Sequence, residues 1–146
     1  MSQRTFSSVA VGDVLPELVL PITPTLIVSG ALASRDYQDV HHDKDLANER
    51  GSKDIFMNIL TTNGLVGRYI TDWTGPAGLL RRVDIRLCAP NYPGDTMVLT
   101  GEVITVAEDE RDAAYGVVHI AVVGANDLGN HVQGTVQVSL PLKESA

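Results

Sequence analysis

The sequence predicts an α+β fold in which one nearly all-apolar helix is covered by one curved antiparallel sheet. Three observations predict it. Helical patterns follow a single short strand-like piece and end by Asp72. The longest of them, Ile55 to Asp72, is apolar on most of its sides. From Val83 onward the apolar period becomes two and persists through a run of strands joined by polar turns. The length of 146 residues suits one domain over 1–146, large enough to bury a core.

Residues 1–12 read as a polar lead-in, and Gly12-Asp13 as a turn. Val14 to Leu20 is a short apolar strand interrupted by Pro16, which suits an edge or irregular strand. Thr23-Pro24 has the hydroxyl and the proline that start a helix. The helix Thr25 to Ser34 is rich in small residues, which predicts close packing on a sheet. Asp43 caps a short helix, Lys44 to Arg50, which Gly51 ends. Asp54 is the expected cap of the long helix. Along that helix Phe56, Ile59, Leu60, Val66, Tyr69, Ile70 and Trp73 recur at three- and four-residue steps, and Met57 and Leu65 fall off that face. Such a helix is expected to be buried on most sides. Gly64 in its middle costs about 1 kcal/mol relative to alanine, which a close backbone contact would offset.

After Gly75-Pro76, Val83, Ile85 and Leu87 alternate with Arg82, Asp84 and Arg86 as in a half-buried strand. Pro90 to Asp95 reads as a turn, Met97 to Ala107 as a strand blurred by Gly101, and Glu108 to Asp112 as a charged turn. Tyr115 to Gly124 is the next strand. His131 to Leu140 is the last, with Val132, Val136, Val138 and Leu140 on one face. The short connections predict that these four strands form an antiparallel meander.

Composition narrows the functional classes. Hydrophobic residues at 44% and charged residues at 20% are ordinary for a globular protein. A formal charge of −7 argues against a nucleic-acid binder, which needs a basic face. No apolar run has the length of a membrane span, and residues 1–12 lack a signal-peptide pattern, so the expected location is cytoplasmic, away from membranes. The single cysteine, Cys88, cannot form an internal disulfide and is expected to be a small buried residue rather than a nucleophile.

The chemistry concentrates in Asp36-Tyr37-Gln38-Asp39-Val40-His41-His42-Asp43, between two helical segments. A carboxylate and an imidazole can share one water, the first accepting a proton and the second accepting or donating another. Asp36 and His41 lie across a loop and can converge on such a water. Structural roles compete for the neighbours. Asp43 suits a helix cap, Asp39 an Asx-turn, and His42 a solvated or backbone-bonded ring. His41, His42 and Asp43 make a poor metal site, because adjacent ligands cannot spread around a tetrahedron, so no metal is expected. His119 and His131 fall in strands, and His131, on the polar face, is expected to be exposed.

The run from Ser34 to Asp43 resembles the motif of the MaoC-like, (R)-specific enoyl-CoA hydratases. That motif has an aspartate, Asn-Pro, an aliphatic residue, a histidine and a further aspartate. Asp36, His41 and Asp43 match, while Gln38-Asp39 stands where Asn-Pro is usual. Val11-Gly12-Asp13-Val14-Leu15-Pro16 is similar to the family's opening, and Pro90-Asn91-Tyr92-Pro93-Gly94-Asp95-Thr96 to its strand-connecting turn. The closest resemblance is to the small subunit of actinobacterial steroid (cholesterol) side-chain enoyl-CoA hydratases, which share the run Arg35 to Asp43 and Gly51-Ser52-Lys53-Asp54-Ile55-Phe56.

The resemblance implies the hotdog fold and water addition across the α,β double bond of an acyl-CoA, with a steroid side chain as acyl group. It implies Asp36 and His41 as catalytic residues. It implies a thioester-binding N–H at the start of the central helix, where Met57-Asn58-Ile59 replaces the usual His-Gly-Met, so Met57 and Asn58 are the oxyanion and substrate-binding candidates. CoA would be part of the substrate, with no separate cofactor. Lys53, Arg68, Arg81, Arg82 and Arg86 are candidates for its nucleotide end. The implied partners are a second MaoC-like subunit in a two-plus-two heterotetramer and an associated lipid-transfer or aldolase partner, the second chain giving room for the bulky acyl group. Three rival readings are an acyl-CoA thioesterase on the same fold, a non-catalytic structural subunit of a hydratase complex, and a metal-binding or storage protein.

Overall fold

The computed structural model describes residues 3–143. The elements are β1 (Val14–Pro21), α1 (Pro24–Ala33), α2 (Lys44–Glu49), α3 (Ile59–Thr74), β2 (Leu79–Leu87), β3 (Thr96–Glu108), β4 (Tyr115–Asn126) and β5 (Gly129–Pro141), with short 3-10 turns at Phe6–Ser8 and Asp39–His41. All five strands form one antiparallel sheet in the order β1-β3-β4-β5-β2, packed against α3. The α+β prediction of a central helix under an antiparallel sheet holds.

The predicted meander holds for β3, β4 and β5 and fails for β2. That strand pairs with β5 at the opposite edge from β1, so residues 88–95 cross over the ends of β5 and β4 to reach β3. The distance is about 14 Å at the usual strand spacing, beyond a tight hairpin turn. Pro90 to Asp95 is therefore the end of a crossover, and buried Asn91 is one of its anchors.

The sheet's inner face is built from alternate residues. Met97, Leu99 and Val103 of β3, Val118, Ile120 and Val122 of β4, and Val136, Val138 and Leu140 of β5 are all buried. Against them α3 sets Val66, Tyr69, Ile70 and Trp73. Each such side chain contributes about 1.5–3 kcal/mol on burial. The edge strand β1 has a register shift between Leu15 and Leu18, the place of Pro16, as expected of an irregular edge.

Three expectations for the helices need correction. The long helix begins at Ile59 rather than Ile55, and its cap is Asn58 rather than Asp54. Residues 55–58 stay extended because their donors are used elsewhere: Phe56 N–H donates to Val40 O (3.1 Å) and Met57 N–H to Asn91 O (3.0 Å). Asp54 instead accepts from Ile55 N–H and pairs with Lys44. Second, the close approach that the small residues of α1 permit is made to α3: a Cβ on Gly30 would collide with the Thr61 side chain, so only glycine permits it. Third, α3 is buried on one face only. Ile59 and Leu60 are 47% and 48% exposed, and a Cβ added at Gly64 would meet nothing within 4 Å, so no close contact offsets its propensity cost. Cys88 is exposed, against expectation, because it lies just past β2 on the crossover. Among the described residues no helix is long and apolar enough to cross a membrane.

Candidate active site

Backbone geometry delivers Asp36 to the site. α1 ends in a Schellman cap, with Asp36 N–H donating to Ala31 O (2.9 Å) and Arg35 N–H to Leu32 O (3.1 Å). Arg35 holds the left-handed conformation that this cap demands, with φ 57°, where glycine is usual. His41 ends the 3-10 turn Asp39–His41 and is buried. Its Nδ1 lies 2.7 Å from Phe56 O, so Nδ1 carries a hydrogen, and Nε2 is turned to Asp36 Oδ2 at 3.3 Å. The extended stretch before α3 thus has a use: it brings the Phe56 carbonyl to the imidazole. The Phe56 ring packs edge-on to His41, with centroids 5.0 Å apart.

Asn58 joins the pair through its side chain. Its Oδ1 caps α3 by accepting from Thr61 N–H (3.0 Å), which leaves Nδ2 to donate to Asp36 Oδ2 (3.1 Å) and Ser34 Oγ (2.9 Å). Ser34 Oγ donates its own hydrogen to Gly30 O (2.8 Å). The Asn58 amide chiefly holds the Asp36 carboxyl below the usual carboxylate range, against a smaller opposing effect of burial, with help from Gln38 N–H and His41. Asp36 is consequently an anion at neutral pH, partly open to solvent, beside a ring that can carry a proton.

Of the sequence-predicted residues, Asp36, His41 and Asn58 come together. Met57 does not join them as a donor: its side chain is buried and its N–H is bonded to Asn91 O. The neighbouring acids have structural partners. Asp43 caps α2 by accepting from Asp45 and Leu46 N–H, and Asp39 binds Arg50 at 2.7 Å, which explains the acid at the position usually held by proline. His42 is exposed. Among the candidate cations, Arg68 pairs with Asp72, Arg81 with Asp109 and Arg82 with Asp84. Lys53 lies over the Tyr92 ring, next to Phe56. A cleft of about 720 Å³ lies elsewhere, lined by Arg81, Arg111, Gln137 and Ser139.

Sequence reasoning missed the Asn58 side chain, having foreseen only its backbone. The signal was present, since an asparagine directly before an apolar helical run is a cap. It also missed His131, which is 1% exposed rather than solvated. β5 carries an extra residue between the pairs Gly124–Val132 and Ala125–Asn130, and this bulge turns His131 inward.

No model of a known protein family matches the chain. The chain is 53% identical over 130 residues to the 3-oxo-4,17-pregnadiene-20-carboxyl-CoA hydratase beta subunit of Mycobacterium tuberculosis, covering 89% of this chain and 95% of that one. The chain belongs to the family of that hydratase beta subunit. A chain in the crystal structure of the ChsH1-ChsH2 complex from Mycobacterium tuberculosis is 52% identical, with a TM-score of 0.82 over 90% of this chain and 98% of that chain. The (R)-hydratase of A. caviae is 18% identical, with a TM-score of 0.80 over 92% of this chain and 98% of that one. R-Hydratase PhaJ1 of Pseudomonas aeruginosa is 21% identical, with a TM-score of 0.82 over 97% and 91%. These two share the fold, and the hotdog architecture expected from the resemblance is the one observed.

Proposed function

We propose that this family member hydrates a steroid side-chain enoyl-CoA, with Asp36 and His41 as its catalytic pair. The observation that carries the reading is the convergence of the Asp36 carboxylate, the His41 imidazole and the capped start of α3 on one partly open spot. Asp36 takes a proton from water as the water oxygen bonds to the β-carbon. His41 orients that water and takes part in proton delivery to the α-carbon. The thioester oxygen accepts from Asn58 N–H at the positive end of α3, which draws electrons from the β-carbon. CoA is part of the substrate and no separate cofactor is needed. The steroid acyl group rests on the substrate named for the 53% identical relative.

A second hydratase-like chain completes the site in this proposal, in a heterotetramer. Leu32, Tyr37, Ile59 and Leu60, all near the cluster in sequence, are 47–66% exposed, and Gly64 faces open space. The similar chain of known structure is part of a two-component complex, and the curated relative is a beta subunit. The resemblance adds a lipid-transfer or aldolase partner, and a cytoplasmic location is the expectation from the sequence pattern. Co-purification from the native source tests the partners.

The activity test is turnover of a steroid enoyl-CoA against a straight-chain one, for the wild type, Asp36→Asn and His41→Ala, in the assembly the wild type forms. Each substitution is expected to slow hydration by about 10²–10⁴-fold. Near wild-type rates in both would overturn the assignment, and release of free CoA thiol would indicate a thioesterase instead.

A further inference from the structure

The cluster at the start of α3 is tied to the rest of the molecule through a buried chain of polar contacts that the proposed chemistry does not use. Thr62, in the first turn of α3, is fully buried, and its Oγ1 lies 2.8 Å from His131 Nε2. His131 Nδ1 lies 2.6 Å from Ala89 O. A carbonyl only accepts, so Nδ1 carries the hydrogen. Burial works against a charged ring, so Nε2 is the lone-pair nitrogen and the Thr62 hydroxyl donates to it. That hydroxyl hydrogen is then not available to Asn58 O, 3.4 Å away, which receives Thr62 N–H instead (3.2 Å).

Ala89 belongs to the crossover between β2 and β3, and so does Asn91, whose carbonyl accepts Met57 N–H. The crossover therefore grips the beginning of α3 on both sides of Asn58: at Met57 through a backbone bond, and at Thr62 through His131. The crossover is itself fastened to β5, since Cys88 and Ala89 N–H donate to His131 O and Asn130 O (2.8 and 2.9 Å). Asn58, between the two grips, is the residue that donates to Asp36 and presents its N–H at the helix start.

A hydroxyl–imidazole pair in a core adds little net stability over an apolar pair of the same shape, but it fixes direction. We propose that Thr62 and His131 are positioning residues for the hydration reaction, setting the orientation of Asn58 and through it that of Asp36; this rests on the catalytic reading of Asp36 and His41 above.

The test uses Thr62→Val, which keeps the shape and removes the hydroxyl, Thr62→Ser, which keeps the hydroxyl, and His131→Asn, which keeps a donor for Ala89 O and loses the reach of Nε2. Each is purified in the assembly of the wild type, with Asp36→Asn as control, and enoyl-CoA hydration is measured below the melting temperature of every variant. Misplacement of a reacting group by about 1 Å can cost 10²-fold, so a partial loosening in Thr62→Val and His131→Asn is expected to lower kcat by about tenfold, with KM within about twofold. Thr62→Ser is expected to recover most of the rate. A purely structural role would lower the melting temperature and leave kcat per folded protein unchanged in both variants, and that result overturns the proposal. So does a Thr62→Ser variant no faster than Thr62→Val. If Asp36→Asn is inactive while Thr62→Val and His131→Asn run at full rate, only this inference fails; if Asp36→Asn keeps its rate, the catalytic reading fails first.

Discussion

Two buried histidines, His41 by the Asp36 carboxylate and His131 beneath the end of the sheet, each turn Nδ1 to a backbone carbonyl, Phe56 O at 2.7 Å and Ala89 O at 2.6 Å. Both carbonyls lie in irregular segments, one before α3 and one in the crossover, where no ladder uses them. The tautomer is thus set in the same way at both sites. The difference is at Nε2. In His41 it meets a partly exposed carboxylate, so a proton there has somewhere to go. In His131 it meets a hydroxyl in the core, so the ring joins two segments and exchanges nothing with solvent. Residue type and burial alone do not separate these roles; the partner of the far nitrogen does.

The widest separation between the two sites is expected from alanine at each. His41→Ala should lower the hydration rate by about 10²–10⁴-fold, since it removes one member of an acid–base pair. His131→Ala should instead destabilise the fold by about 3 kcal/mol in denaturant unfolding, from a core cavity and a carbonyl left without its donor. A His131→Ala protein as stable as wild type would break the comparison.

Acid should also act on the His131 site. Burial pushes the His131 imidazole below its usual value of 6.5, against the Ala89 carbonyl and the Asp95 charge, which act the other way. The unfolded chain therefore takes up this proton at a higher pH than the folded one. Stability from keeping His131 neutral is present in full above the ordinary histidine range and is lost as pH falls toward the lower folded value. A melting temperature that drops below about pH 6.5, and drops less in a His131→Asn variant, is the expected result.

How much of this was legible in sequence follows the range of the interactions. The cluster at 36–43, the cap at Asp43 and the strand alternation are local, set by neighbours within a turn or a pleat, and were readable. The swap of β2 to the far edge was not, because strand order depends on which edge a crossover reaches. The inward turn of His131 depends on one extra residue opposite β4, invisible in a period-two pattern that predicts an outward ring. The helix start shifted because Phe56 and Met57 give their N–H groups to Val40 and Asn91, residues distant in sequence. The cluster's residues could thus be named from the chain, while the Asn58 side chain, the Phe56 carbonyl and the Thr62–His131 link came only with the fold.

A smaller effect is expected at the residue that joins the two sites. The Asn58 amide is the main cause of the low Asp36 pKa. Asn58→Ser keeps a capping hydroxyl for α3 and removes the amide donor. Asp36 should then titrate higher, moving the acid limb of the kcat/KM profile upward in pH, while His131, held by Thr62 and the Ala89 carbonyl, leaves the melting temperature within a few degrees of wild type. An acid limb that stays in place would mean that Asp36 is not the group titrating there.

The smallest effect concerns how each histidine's partner is presented. Thr62 sits in regular helix, whereas Asp36 follows Arg35, whose φ of 57° is unfavourable for a side chain. The same cap at the end of α2 uses Gly51, with φ 89° and the matching bond from Ser52 N–H to Ala47 O. The cap before Asp36 therefore carries backbone strain that the cap of α2 lacks. Arg35→Gly should relieve it and, after the extra freedom glycine gives the unfolded chain, stabilise the protein by less than about 1 kcal/mol. Gly51→Ala should introduce such strain and destabilise by about 1 kcal/mol. Both bonds that place Asp36 are made by backbone groups, so hydration by Arg35→Gly should stay within about twofold of wild type. A large loss of rate in that variant would assign the Arg35 side chain a part in the site, and with it a use for the strain.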